Sequence, residues 1–295
     1  MQYGDGDYRY ELDEGWGKLP EGYEFHQVAG VAVDGDDNVY LFNRSAHQMM
    51  VFDREGGFIK SWDQRFAGPH GIHIGPDGNI YLADRDAHVI VKYSLDGELL
   101  QELGNRDQAS DTGYGADRVV HRAAEPFNLP TGIAVTESED IFVSDGYGNS
   151  RVHKFDASGA LLLSWGEPGS TEPGQFTLPH GVGLDADGRV LVCDRENHRI
   201  QVFDQDGNFL TMWPGFRQPT DVQVGPDGEV YVTELTHRFS IVDGDGNVLA
   251  RWGGESSHDP GQFVAPHGIA VDSRGDIYIG EVLEGQRIQK FVRVR

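Results

Sequence analysis

The sequence predicts an all-β chain, a six-bladed β-propeller formed by residues 1–295 as one domain. Three observations carry that expectation: a unit of four short strands recurs six times, turn glycines run along the whole length, and the last unit lacks a strand that the N-terminus can supply. The first strands of the unit read VAGVAVD (28–34), GPHGIHI (68–74), LPTGIAV (129–135), LPHGVGL (178–184), QPTDVQV (218–224) and APHGIAV (265–271). Each leads into a hairpin through turns such as GPDGN (75–79), DADGR (185–189) and GPDGE (225–229), which put glycine where a positive φ is needed. The second strands, among them IYLAD (80–84), VLVCD (190–194) and VYVTE (230–234), carry the β-branched and aromatic residues of buried strands. A third and a fourth strand complete a twisted sheet, and such sheets, packed face to face in a ring, shield one another's edges.

The sixth unit stops at RIQKFVRV (287–294), before a fourth strand, whereas YRYELDEGWG (8–17) ends in the Trp-Gly typical of that position. The N-terminal segment is therefore expected to close the ring as the outer strand of the sixth blade. Equivalent positions Gly30, Gly71, Gly132, Gly181, Asp221 and Gly268 lie 41, 61, 49, 40 and 47 residues apart, so insertions follow the second, third and fifth units. The largest, near Asn105–Asn128, is placed by this topology at one rim, where substrate contacts usually reside.

Composition narrows the function. Against 24 basic residues stand 48 acidic ones, dispersed along the chain, for a net charge of −24. Such a field repels phosphate backbones and anionic lipid, so neither nucleic acid nor membrane is an expected partner. No stretch approaches the roughly 18 apolar residues of a membrane span, and MQYGDGDYRYELDEG (1–15) lacks the apolar centre of an export signal. Cys193 is the only cysteine, which leaves no intrachain disulfide; a cytoplasmic location is expected.

The residue before each of those glycines, or before Asp221, starts the innermost strand and reads Ala29, His70, Thr131, His180, Thr220 and His267. Histidine occupies every second blade. One histidine at a strand start is ordinarily structural, but alternate blades lie about 120° apart in a ring of six, so His70, His180 and His267 are expected to converge on the axis as metal ligands. Three imidazoles leave open coordination positions, a catalytic arrangement, and suit zinc or another divalent transition metal such as iron, cobalt or nickel. Beyond the second strands stand Arg44, Arg85, Tyr147, Arg195, Leu235 and Val282. Arg44 and Arg195 are candidate clamps for an anionic or electron-rich substrate, unless they merely form surface ion pairs with acids such as Asp194 or Glu196. Tyr147, flanked by glycines that would let its ring project, is a candidate general base that a nearby metal and arginine would favour. His47, His88 and His198 recur in the turn after the second strand and are expected to serve the repeat's own hydrogen bonding.

These units, with elements such as ENHRIQVFD (196–204), resemble NHL repeats. Within that superfamily the likeness is to the peptidyl-α-hydroxyglycine α-amidating lyases; it covers nearly the whole chain and is most specific in VSDGYGNSR (143–151), PGQFTLPHG (173–181) and DRENHRIQ (194–201). The resemblance implies zinc on His70, His180 and His267, Tyr147 as catalytic base, and Arg44 and Arg195 as substrate-binding, charge-stabilising residues. It implies cleavage of the N–C bond of a carbinolamide to an amide and glyoxylate. Two departures matter. Gly268 stands where that family has an acid that helps bind a structural calcium, so calcium is not carried over, and Gly148 stands where it has a cysteine. Three readings remain: a lyase-like metalloenzyme acting on a small molecule or peptide end, a metal-dependent hydrolase of lactones, esters or phosphotriesters, and a non-enzymatic binding scaffold.

Overall fold

The computed structural model describes residues 1–295, which form 27 strands and two short 3-10 turns. The chain is the all-β, six-bladed propeller that the repeat predicts: six antiparallel sheets, one per unit. No helix is long and apolar enough to cross a membrane. By their contacts the residues group into two compact units, Phe66–Pro219, and Met1–Arg65 together with Thr220–Arg295.

Phe66–Pro219 holds the second, third and fourth blades, whose inner strands are Pro69–Ile74, Pro130–Val135 and Pro179–Leu184. Side chains alternate across a strand, and the third blade uses both faces. Ile133 and Val135 pack back onto Tyr81, Ala83 and Ile90 of the second blade, whereas Ala134 joins Val182, Val190 and Val192 of the fourth. The insertion at 105–128 forms no strand and is bound by side chains: Asn128 donates from Nδ2 to Ser110 O (3.1 Å) and Thr112 Oγ1 (2.9 Å).

The other unit contains the first and fifth blades and the sixth, with inner strands Val28–Val33, Pro219–Val224 and Pro266–Val271. Tyr8–Asp13 completes the sixth blade as expected, pairing Tyr10 with Arg293 and Asp13 with Lys290. It is the fourth strand but not the outermost, because Gln2–Asp5 pairs outside it as a fifth. That extra strand holds because Tyr3 packs on Trp252 and Phe291 and donates to Pro260 O at 2.8 Å. Trp16 lies beyond the strand, buried between Phe52 and Tyr278, with its indole N–H on Arg54 O at 3.0 Å.

The inner hairpins explain the recurring glycines. Gly78, Gly188, Gly228 and Gly275 take φ values of 72–85°, while Asp37 and Glu139 adopt the same left-handed conformation at their equivalents. At the other end of each second strand sits a fully buried polar residue: Asn43, Asp84, Asp145, Asp194, Glu234 or Glu281. These caps fasten the segments that lead into the inner strands: Asp84 accepts from Gly68 N (2.8 Å), Asp145 from Asn128 N (2.8 Å), Asp194 from Thr177 N (2.9 Å) and Glu281 from Val264 N (2.6 Å).

Candidate metal centre and active site

His70, His180 and His267 each follow the proline that opens an inner strand, and each strand opens with a register shift against its neighbour: between Pro69 and Ile72, Pro179 and Val182, and Pro266 and Gly268. Such bulges re-aim a side chain relative to the regular pleat. The glycines that follow are required by crowding. A Cβ on Gly71 would lie 2.2 Å from Thr131 O, and one on Gly268 2.8 Å from Ala29 O. The acid that the lyase resemblance associates with calcium therefore has no room at position 268.

The same two carbonyls orient the imidazoles. His70 Nδ1 lies 2.9 Å from Thr131 O and His267 Nδ1 2.6 Å from Ala29 O. A carbonyl only accepts, so both Nδ1 atoms carry the proton and both Nε2 atoms keep a lone pair, the tautomer a metal ligand needs. All three histidines are buried, and their ligand atoms lie within 4.8 Å of one another, a group that could hold a metal ion. The donor set fits: three imidazoles, two of them with their tautomers fixed from behind, are a first-row transition-metal site with open positions.

Within Phe66–Pro219 the candidate base and one candidate clamp meet two of these histidines. The Tyr147 hydroxyl is 3.4 Å from His70 Nε2 and 3.3 Å from His180 Nε2, and it accepts from Arg195 Nη1 at 3.3 Å. Arg195 also lies over the Tyr147 ring, 5.4 Å from its centroid, and Arg85 lies over the same ring at 5.3 Å. Each arginine is steadied by the acid that follows it: Arg195 Nε bonds Glu196 Oε1 at 2.9 Å, and Arg85 grips Asp86 through Nε (2.7 Å) and Nη2 (2.9 Å). Burial works against the charge of Arg85, but Asp86 and the Tyr147 oxygen more than offset it and hold the guanidinium above its usual basicity. In the other unit, Arg44 is fixed by Gln27, which receives its Nη1 on Oε1 and its backbone N–H on the carbonyl, both at 3.0 Å.

The glycines beside Tyr147 do not free its ring, as the sequence suggested, but let other backbone close in. A Cβ on Gly146 would meet Pro179 O at 1.9 Å, and one on Gly148 would meet Asn128 Oδ1 at 2.2 Å. Gly148 N donates to Asn128 O (3.0 Å) while Thr112 Oγ1 donates to Gly148 O (2.6 Å), so the insertion clamps the Tyr147 loop from both sides of one residue. Arg85 has no role in the sequence reading; its shared register with Arg44 and Arg195 was the available signal. His88 and His198 do serve the repeat, their Nδ1 atoms accepting from Leu129 N (3.1 Å) and Gln218 N (3.2 Å).

The chain is similar to known proteins over most of its length. The NHL repeat family matches residues 127–155, 176–203 and 263–291. Human NHL repeat-containing protein 3 is 32% identical over 96% of this chain and 84% of its own length. Peptidyl-alpha-hydroxyglycine alpha-amidating lyase 1 of Drosophila melanogaster is 28% identical over 94% of this chain, which spans 46% of that protein. Among solved structures, virginiamycin B lyase from Staphylococcus aureus superimposes with a TM-score of 0.66 at 15% identity, covering 97% of this chain and 100% of that one, a likeness of fold.

Proposed function

The chain belongs to the NHL-repeat family, and from that premise we propose that it is a divalent-metal-dependent carbon–nitrogen lyase that splits a carbinolamide into an amide and glyoxylate. The observation that carries this reading is the convergence of the Tyr147 hydroxyl on the Nε2 atoms of His70 and His180 with Arg195 donating from behind. The likeness to an amidating lyase supports the reaction class. His70, His180 and His267 would hold the metal, zinc being the first choice. Bound there, a divalent ion supplies positive charge that polarises a substrate oxygen.

The protein's own groups then do the following. Tyr147 accepts the proton of the substrate hydroxyl at its phenol oxygen. The O–H electron pair becomes the second bond of the new carbonyl, the C–N bond breaks, and the amide nitrogen leaves with the C–N bonding pair and takes up the proton that Tyr147 removed. Arg195, and Arg44 as a second cation, pair with the substrate carboxylate and with charge building on oxygen. Arg85, also over the Tyr147 ring, helps to set it. The substrate is a small molecule or a peptide end, not nucleic acid or membrane. A chain with a single cysteine, the buried Cys193, can form no disulfide within itself, so the fold needs no oxidising compartment, and we assign it to the cytoplasm.

The test is metal analysis of the purified protein followed by assay of N-acyl-α-hydroxyglycines for glyoxylate. We expect about one metal ion per chain, glyoxylate and amide in equal amounts, and loss of metal in His70→Ala, His180→Ala and His267→Ala alike, since two imidazoles bind far more weakly than three. Hydrolysis of lactones, esters or phosphotriesters without glyoxylate release would replace the lyase by a hydrolase. A protein that retains no metal and turns over none of these would be a binding scaffold.

A further inference from the structure

A cavity of about 370 Å³ opens beside Tyr147, walled by Val119, Val120, Pro168, Phe176 and Leu178 together with the tyrosine itself. None of these five side chains belongs to the four-stranded sheets. Val119 and Val120 come from the insertion at 105–128, and the others from the segment containing the short parallel strands Glu167–Pro168 and Gln175–Phe176. Two insertions thus build, against the candidate base, an apolar pocket at the small end of the roughly 300–1,000 Å³ usual for ligand sites. Phe176 is fully buried, whereas Val119 is 49% exposed. Of the charged residues at the cavity, Glu196 is engaged by Arg195, and Arg118 is exposed.

We propose that this cavity is the subsite for the acyl side of the substrate, so that the preferred carbinolamides carry an apolar group of about one aromatic ring beside the amide. The proposal rests on the lyase reading for the identity of the reacting carbon, but the subsite itself is defined by its walls and by Tyr147. A substrate oxygen within reach of the Tyr147 hydroxyl puts its acyl group next to the mouth of this cavity. The five apolar walls reward burial of hydrocarbon, and of the polar groups at the cavity Glu196 is held by Arg195 and Thr177 Oγ1 by Gly169 O, so a polar or charged side chain is poorly matched there.

The experiment is calorimetric titration of the metal-loaded protein with phenylacetylglycine and with acetylglycine, which lack the reactive hydroxyl and so report binding without turnover. We expect phenylacetylglycine to bind about 10-fold tighter or more, the discrimination an apolar pocket gives for several added carbons. Val120→Asn, which makes one wall polar, and Val119→Trp, which fills the space from an exposed position, should each remove most of that difference. Acetylglycine affinity and thermal unfolding should stay unchanged in both. Equal affinity of the two probes for the unmodified protein, or a preference that survives both substitutions, overturns the assignment. If the preference behaves as expected while α-hydroxylated phenylacetylglycine releases no glyoxylate, the subsite stands and the lyase reading falls.

Discussion

Asp221 occupies the position that is glycine in the other five blades, and its carboxylate meets only backbone donors, Val222 N at 2.9 Å and Ile269 N at 3.3 Å. Burial raises its pKa from 3.8 to about 7, the two N–H donors recovering part of the cost of charging it. For an acid whose folded value is raised, the stabilising contribution is complete below the unfolded value, near pH 4, and is lost as pH rises through about 7. At 1.36 kcal/mol per pH unit, full ionisation costs the folded state roughly 4 kcal/mol at most, and about half that if water relaxes around the half-buried group. Asp221→Asn replaces a carboxyl by its neutral isostere. Urea unfolding followed by tryptophan fluorescence should therefore give a variant that is already the more stable protein at pH 5 and whose advantage grows further by pH 8.5, by about 1 kcal/mol if water relaxes around the group and about 3 kcal/mol if it does not. The comparison cancels the self-repulsion of the net charge of −24, which both proteins share apart from this group. Stability curves that run parallel from pH 5 to 8.5 would refute the reasoning and mean that Asp221 is ionised and well solvated throughout.

Two further predictions concern the base and the ring closure. Tyr147→Phe keeps the ring that Arg85 and Arg195 lie over and should lower kcat by about 10²–10⁴ with metal content unchanged; near-normal turnover would remove the base assignment and favour direct attack by activated water. Deleting residues 1–17 removes the fourth and fifth strands of the sixth blade and the Trp16 side chain, which alone is worth about 1.5–3 kcal/mol of apolar burial, so thermal unfolding of the truncated chain should fall by many degrees; an unchanged melting temperature would sink the closure argument.

The repeat was legible because a propeller blade buries both faces, so the continuous apolar second strands and the turns that join them had to recur in each unit. Inner strands expected at 68–74 and 178–184 run from Pro69 to Ile74 and from Pro179 to Leu184. The histidine cluster was legible for the same reason: a residue that recurs in alternate blades at one register occupies one level of the structure. What escaped the sequence depended on partners far away in the chain. Gln2–Asp5 carries a single buried aromatic, Tyr3, whose partners Trp252, Pro260 and Phe291 lie some 250 residues on. Arg85 has no role in the sequence reading because nothing local tells that its pair with Asp86 presents the guanidinium to Tyr147, a residue 62 positions on. The cavity could not be read at all, since its walls are loops with no periodicity.

The proton transfer proposed for Tyr147 would require its oxygen to be placed within a few tenths of an ångström, and it sits on a loop in a chain that has no disulfide to tether it. The cysteine that the lyase resemblance puts at position 148 is replaced by a glycine, and the replacement changes the means of restraint. With no Cβ at 148, Asn128 comes close enough to accept from Gly148 N, and Thr112 reaches Gly148 O, while Asn149 Nδ2 bonds Asp145 Oδ2 (2.8 Å) and Ala124 O (2.7 Å). Four buried hydrogen bonds at about 1 kcal/mol each total about the 2–4 kcal/mol that a disulfide typically contributes. They also tie the tyrosine loop to the very insertion that walls the cavity, whereas a disulfide would fix the loop to a single point. Position of the base and shape of the subsite are therefore coupled through Asn128 and Thr112, so a change in the insertion that alters substrate preference will also move Tyr147 unless these two residues are kept.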